Sequence, residues 1–187
     1  MKLAKSHSTN ILLAAATSAA LVFSTGASAA TDGTLGSQST GTVTINASVP
    51  DRVRISGLED VNFTSIDPAS TNVFNTQDVC LWSNTATRGY SLTATGSGAG
   101  DAFELSAGGL TVPYSVEWAG TTGATTGVTL SAGSAASGFI STATHQLCNT
   151  GPSNSASLIV RLADADLSTM QSGQTYTGLL TLLVQPE

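Results

Sequence analysis

The sequence predicts an all-β fold, a two-sheet sandwich, on three observations. Apolar residues recur at every second position in one segment after another, the period of a strand with one covered face. Thr, Ser, Gly and Ala dominate the composition, with only 10% charged residues, a strand-and-turn balance rather than a helical one. No long stretch carries the 3.6-residue period of an amphipathic helix. About eight short strands with frequent turns between them make a β-sandwich.

Residues 1–29 read as a secretory signal peptide. Lys2 and Lys5 open it, ILLAAATSAALVF forms an apolar core, and Ala27-Ser28-Ala29 supplies small residues for cleavage. That core is shorter than the roughly 20 residues a membrane-spanning helix needs, and no later stretch is long and apolar enough to insert. Removing the signal leaves residues 30–187, a length that suits one domain. Four arginines (Arg52, Arg54, Arg88 and Arg161) then face twelve acids, a formal charge of −8. Such a balance argues against nucleic acid and anionic membrane surfaces as partners.

The first strand lies at 41–49, GTVTINASV. Val43, Ile45, Ala47 and Val49 form an apolar row, and Thr42, Thr44, Asn46 and Ser48 a polar one. At about 3.3 Å per residue it reaches roughly 30 Å, enough to cross a sheet. A half-apolar strand behind a Gly/Ser/Thr-rich leader needs a partner, either in its own sandwich or in a neighbour. The segment 30–50 is therefore set apart as an N-terminal extension, with the domain at 51–187.

Beyond Pro50, which marks a strand edge or break, Val53 and Ile55 continue the alternation. Val61 and Phe63 begin another short strand, and Asp67-Pro68 a turn. Residues 79–82 and 89–95 are strand-like. The glycines at 96, 98 and 100 lack the spacing and following helix of a phosphate cradle and read as a hairpin end. Phe103 and Leu105 resume the pattern, which Val112, Tyr114, Val116 and Trp118 carry through TVPYSVEW, with Pro113 at an edge or bulge. Residues 119–141 predict one short strand and long loops. Leu158, Val160 and Leu162 give the next strand, followed by a one-turn helix at 163–167. In the final strand, YTGLLTLLV, residues Tyr176, Gly178, Leu180, Leu182 and Val184 share one face. The other face is half apolar, as suits a strand inside a sheet or beside one from elsewhere.

Cys80 and Cys148 are the only cysteines. In an exported chain an even count predicts a disulfide, and no CxxC or histidine cluster supports a redox or metal site. Asp164 and Asp166 fall short of the six to eight oxygens calcium takes and read as a solvated turn. No GxSxG is present, and His145, the one histidine after the signal, sits in a polar loop run. Trp82 and Trp118 lie in strand patterns where core packing outweighs sugar stacking. No residue set points to an enzyme, and none to a cofactor.

Together the export signal, the alternating N-terminal strand, the all-β body, the low charge and the two-sided final strand resemble chaperone–usher pilus subunits. VTINASV, the proline-containing VPYSVEW and the Tyr-x-Gly before the apolar run at 176–184 are similar to segments of the alternate-chaperone (colonisation-factor) pilins. Spore-coat-U-like pilins are similar in layout. The cysteine pair and the C-terminal Pro186-Glu187 depart from the colonisation-factor pattern. The resemblance implies an immunoglobulin-like sandwich lacking its last strand. A periplasmic chaperone would fill the resulting groove first. The N-terminal strand of another copy or a related pilin would replace it at an outer-membrane usher, building a surface fimbrium for adhesion or biofilm formation. The donor residues implied are Val43, Ile45, Ala47 and Val49, and the acceptor groove is lined by Leu180, Leu182 and Val184. The alternative is a self-contained secreted sandwich that binds a glycan or protein and uses 41–49 as its own first strand.

Overall fold

Apolar alternation becomes ten strands in the computed structural model, which describes residues 30–151 and 154–187. The expected signal peptide lies outside the described residues. The described residues before Val49 belong to one compact unit, and Val49–Glu187 form the other.

In the second unit β1 (Val53–Ser56), β2 (Val73–Ser83), β9 (Ala156–Leu162), β6 (Ser115–Ala119) and β7 (Val128–Thr129) make a five-stranded sheet in that order. The strands β10 (Leu180–Pro186), β3 (Gly89–Gly96) and β8 (Ala135–Ile140) make a three-stranded sheet. A hairpin of β4 (Glu104–Ala107) and β5 (Leu110–Pro113) stands apart from both. All strand pairs are antiparallel. The inward rows meet in one core, with Val79, Leu81, Val116, Trp118, Leu158 and Val160 from one sheet and Tyr90, Leu92 and Ala94 from the other. Two sheets closed over a shared apolar layer are a β-sandwich, as composition and period predict.

Trp118 is fully buried, as its place in the core requires, and its indole N–H donates to the Tyr90 hydroxyl at 3.0 Å. That partner removes the cost of burying an indole donor. Tyr90 meets Trp118 edge to face at 6.5 Å and stacks on Phe139 at 5.4 Å. Burial pushes the Tyr90 pKa up, against the opposing pull of the Trp118 hydrogen bond.

Cys80 and Cys148 are bonded, with Cα atoms 5.9 Å apart. Cys80 and Trp82 point away from the core residues Val79 and Leu81, so the disulfide ties the loop after β8 over the outer face of β2. Two buried serines complete that join where the β2–β9 ladder ends at Val79↔Ala156. Ser155 Oγ accepts the Leu81 N–H at 2.9 Å and donates to the Leu81 carbonyl at 2.6 Å, and the Ser141 hydroxyl donates to the same carbonyl. The side of β2 that β9 leaves is thereby satisfied by side-chain hydroxyls.

Several expected elements are corrected. TVPYSVEW is two strands, because the chain leaves the β4–β5 hairpin after Pro113 and enters the five-stranded sheet at Ser115. Residues 119–141 hold two strands, β7 and β8, where one was expected. Val61 and Phe63 alternate in burial as a strand does, yet residues 57–72 form no ladder. The final strand starts at Leu180 rather than Tyr176, since Thr177 bridges to Ser106 of β4 instead of joining β3. It lies at a sheet edge, not in a sheet interior. The helix at Asp164–Leu167 forms as expected.

Candidate strand-binding cleft

Among the described residues the strand β10 pairs with β3 alone, so its other side is an open edge. Which residues face that edge follows from one hydrogen bond. The Glu187 N–H donates to the Gly89 carbonyl at 3.1 Å, so in an antiparallel ladder every second residue back from Glu187 turns its peptide groups to β3. Those are Gln185, Leu183 and Thr181. Leu179 keeps the same parity, donating its N–H to Ser97 Oγ at 2.9 Å on the β3 side. Leu180, Leu182 and Val184 therefore turn both their N–H and C=O groups to the open edge. Pro186 shares their parity and has no N–H to leave unpaired, which is where a strand tolerates proline.

The same three residues form the inward side-chain row. Leu180, Leu182 and Val184 pack against the core but are only half buried. Beside them opens a cleft of about 810 Å³. Leu180 and Leu182 line one side, Val61, Phe63 and Ile66 the other, and Leu158, Val160 and Tyr114 the bottom. Val184 continues the row outside the cleft lining.

The far wall exists because the chain parts from β2 after β1. The β1–β2 ladder ends at Ser56↔Cys80, and Gly57 then adopts φ +81°, a left-handed turn that suits glycine. Beyond it the Gln77 side chain stands in for a backbone partner. Its Oε1 accepts the Glu59 N–H at 2.8 Å and its Nε2 donates to the Glu59 carbonyl at 3.0 Å. Past Glu59 the chain runs free of β2, and Val61 and Phe63 drop their side chains onto the core.

In the first unit, Thr31 and Thr42 exchange two backbone hydrogen bonds of 2.9 Å. No ladder is assigned from Val43 to Arg52, so the strand expected at 41–49 has not paired. Its apolar row faces solvent, with Val43 72% and Ile45 87% exposed and Ala47 and Val49 exposed as well. Three β-compatible apolar residues left in water are an unusual surface for a chain this apolar inside.

The other residues singled out in the sequence have local roles. His145 closes the turn leading to the disulfide, accepting the Cys148 N–H at its carbonyl and the Leu147 N–H at Nδ1. Trp82 packs against that disulfide. Asp164 holds the Asn72 N–H at 2.9 Å. On the outer face of the five-stranded sheet Arg161 pairs with Glu117 at 2.9 Å and lies over the Phe74 ring at 4.4 Å. Among the described residues no group of three or more His, Cys, Asp and Glu is placed to hold a metal. Nor is any of their helices long and apolar enough to cross a membrane.

Leu180, Leu182 and Val184 entered as the groove lining that the resemblance to pilus subunits implies, on a strand apolar on both faces. Sequence reasoning missed Tyr114 and Gln77, and saw Val61 and Phe63 only as a strand. The available signal was that alternation, set between Gly57 and Pro68 with no pairing strand at hairpin distance. No protein-family model matches the chain, and no curated protein is similar to it.

Proposed function

We propose that this protein is a structural subunit of a surface fibre, in which residues 41–49 of one copy complete the sandwich of the next. The observation that carries the reading is the coincidence on β10. Leu180 and Leu182, whose peptide groups face the open edge, also turn half-buried side chains to a cleft of about 810 Å³, and Val184 continues their row. A strand laid there finds hydrogen bonds and apolar cover together, which is strand addition at a sheet edge. The chain carries a strand of matching chemistry in Val43, Ile45, Ala47 and Val49.

The sheet order supports an immunoglobulin-like reading. In such a domain the first sheet runs A-B-E-D and the second C-F-G. Here β1-β2-β9-β6 follows the first order and β3-β10 the C-F pair, so the place beside β10 is that of the last strand. On this reading the subunit passes through the periplasm with a chaperone holding the cleft, and an outer-membrane usher exchanges it for the neighbour's strand. No step is catalytic and no cofactor takes part.

Ile45, at the centre of the exposed row, tests it. Burying isoleucine in a neighbour is worth about 1.5–3 kcal/mol, and an unpaired carboxylate there costs more. Ile45→Asp is expected to abolish fibres while the subunit still folds and unfolds at the wild-type temperature. Thr44→Asp, on the polar row, is expected to do much less. An Ile45→Asp monomer that fails to fold, beside a wild type that never polymerises, establishes the self-contained sandwich instead.

A further inference from the structure

The chain enters the sandwich through Pro50, Asp51 and Arg52, and one side chain fixes this hinge. Asn84 Oδ1 accepts the Arg52 N–H at 2.6 Å, and its Nδ2 donates to the Pro50 carbonyl at 3.0 Å. The Asn84 N–H also donates to the Arg52 carbonyl at 3.1 Å. These bonds prolong the β1–β2 register, Val53↔Ser83, by one pair. Proline's fixed φ stiffens it further.

Asn84 stands in the β2–β3 turn, at the end of the sandwich where β10 also finishes. Ser83 Oγ donates to the Gly89 carbonyl at 3.0 Å, and Glu187 donates to that same carbonyl. This placement restricts how a subunit's own residues 41–49 reach its own cleft. Running antiparallel to β10 puts Val49 beside Leu180, roughly 23 Å from Glu187 at the strand rise. The four residue steps from Val49 to Val53 span at most about 14 Å. At that register the route is closed. Running parallel to β10 requires 50–52 to turn back as a hairpin, which means releasing the peptide groups that Asn84 holds.

We infer that Asn84 is a positioning residue that keeps the hinge from folding back and so reserves 41–49 for a second copy of the chain. The inference rests on the strand-exchange reading. Without the clamp the subunit caps its own cleft and withdraws from assembly.

The test compares the full chain with Asn84→Ala and Asn84→Asp, reading assembly rate and amide hydrogen exchange of 43–49 in dilute monomer. Losing one to two hydrogen bonds shifts the balance roughly tenfold. Asn84→Ala is expected to assemble up to about tenfold more slowly and to protect 43–49 by the same ratio. Asn84→Asp keeps the acceptor for Arg52 but loses the donor to Pro50, and is expected to fall between; it decides the matter alone if the alanine variant does not fold. Slower assembly with unchanged or faster exchange at 43–49 marks a merely structural residue and overturns the inference. So does wild-type behaviour of both variants, which leaves strand exchange standing. A wild type that never assembles overturns both.

Discussion

Leu182 and Leu183 are neighbours on β10 that face opposite ways, and truncating each in turn isolates the cleft from the rest of the sandwich. Leu182 lies half buried at the cleft, whereas Leu183 is 55% exposed on the outer face. Truncating a fully buried leucine to alanine costs about 2–5 kcal/mol. Most of Leu182's burial is already present in the lone subunit, so Leu182→Ala is expected to lower folding stability by about 1–3 kcal/mol. The smaller remainder is gained only when a strand covers it, so capture weakens by a further ~0.5–1.5 kcal/mol, or about 2–10-fold in Kd. Leu183→Ala, away from the cleft, is expected to stay within about 0.5 kcal/mol in both measurements. The assays are urea unfolding of the subunit and titration with a peptide of sequence GTVTINASV. Equal weakening of capture by the two variants, or none by Leu182→Ala, refutes the assignment of the inward row.

Two further outcomes follow from the fold. The unfolded, unreduced protein is expected to show no free thiol. Reduction, which opens a loop of 68-residue separation, is expected to cost up to about 4 kcal/mol by the loop-entropy relation. An unchanged melting temperature with both thiols titrated contradicts that. Tyr90 and Tyr114 have pKa values raised by burial above the ordinary 10.0. A folded pKa above the unfolded one gives stability that is complete below pH 10 and lost as pH rises beyond it. Unfolding followed from pH 8 to 12 is expected to show that loss, reduced in Tyr90→Phe; a flat profile contradicts it.

The sequence was most legible where one side chain in two is apolar and a ladder partner lies nearby in the fold. β1, β3, β9 and β10 were all visible this way, and Cys80 and Cys148 from their number and the expected export. β8 was not, because AASGFI offers small residues and a Gly138 at φ +79° in place of an apolar row. The start of β10 was misplaced by the apparent continuity of Tyr176 with Leu180. Gly178 lies so close to the Glu104 carbonyl that a Cβ would stand 2.6 Å from it, which marks a crossing past β4 rather than a strand of the β3 sheet. One wall of the cleft was legible and the other was not, for the same reason. β10 is apolar on both faces, which marks it as a strand but suits a sheet interior as well as a strand beside one from elsewhere. The opposite wall is irregular backbone, and its link to β2 is a glutamine side chain, which leaves no periodic trace. The Asn84 clamp is invisible in sequence because it depends on register, not composition.

Amide hydrogen exchange along β10 tests the central claim most directly. In the lone subunit Thr181, Leu183 and Gln185 are expected to exchange slowly, their N–H groups being turned to β3, while Leu180, Leu182 and Val184 exchange fast. On assembly the account predicts that Leu180, Leu182 and Val184 become slow, completing an unbroken run of protection along the strand. An assembled protein in which those three amides stay fast, with protection appearing on another face, contradicts it.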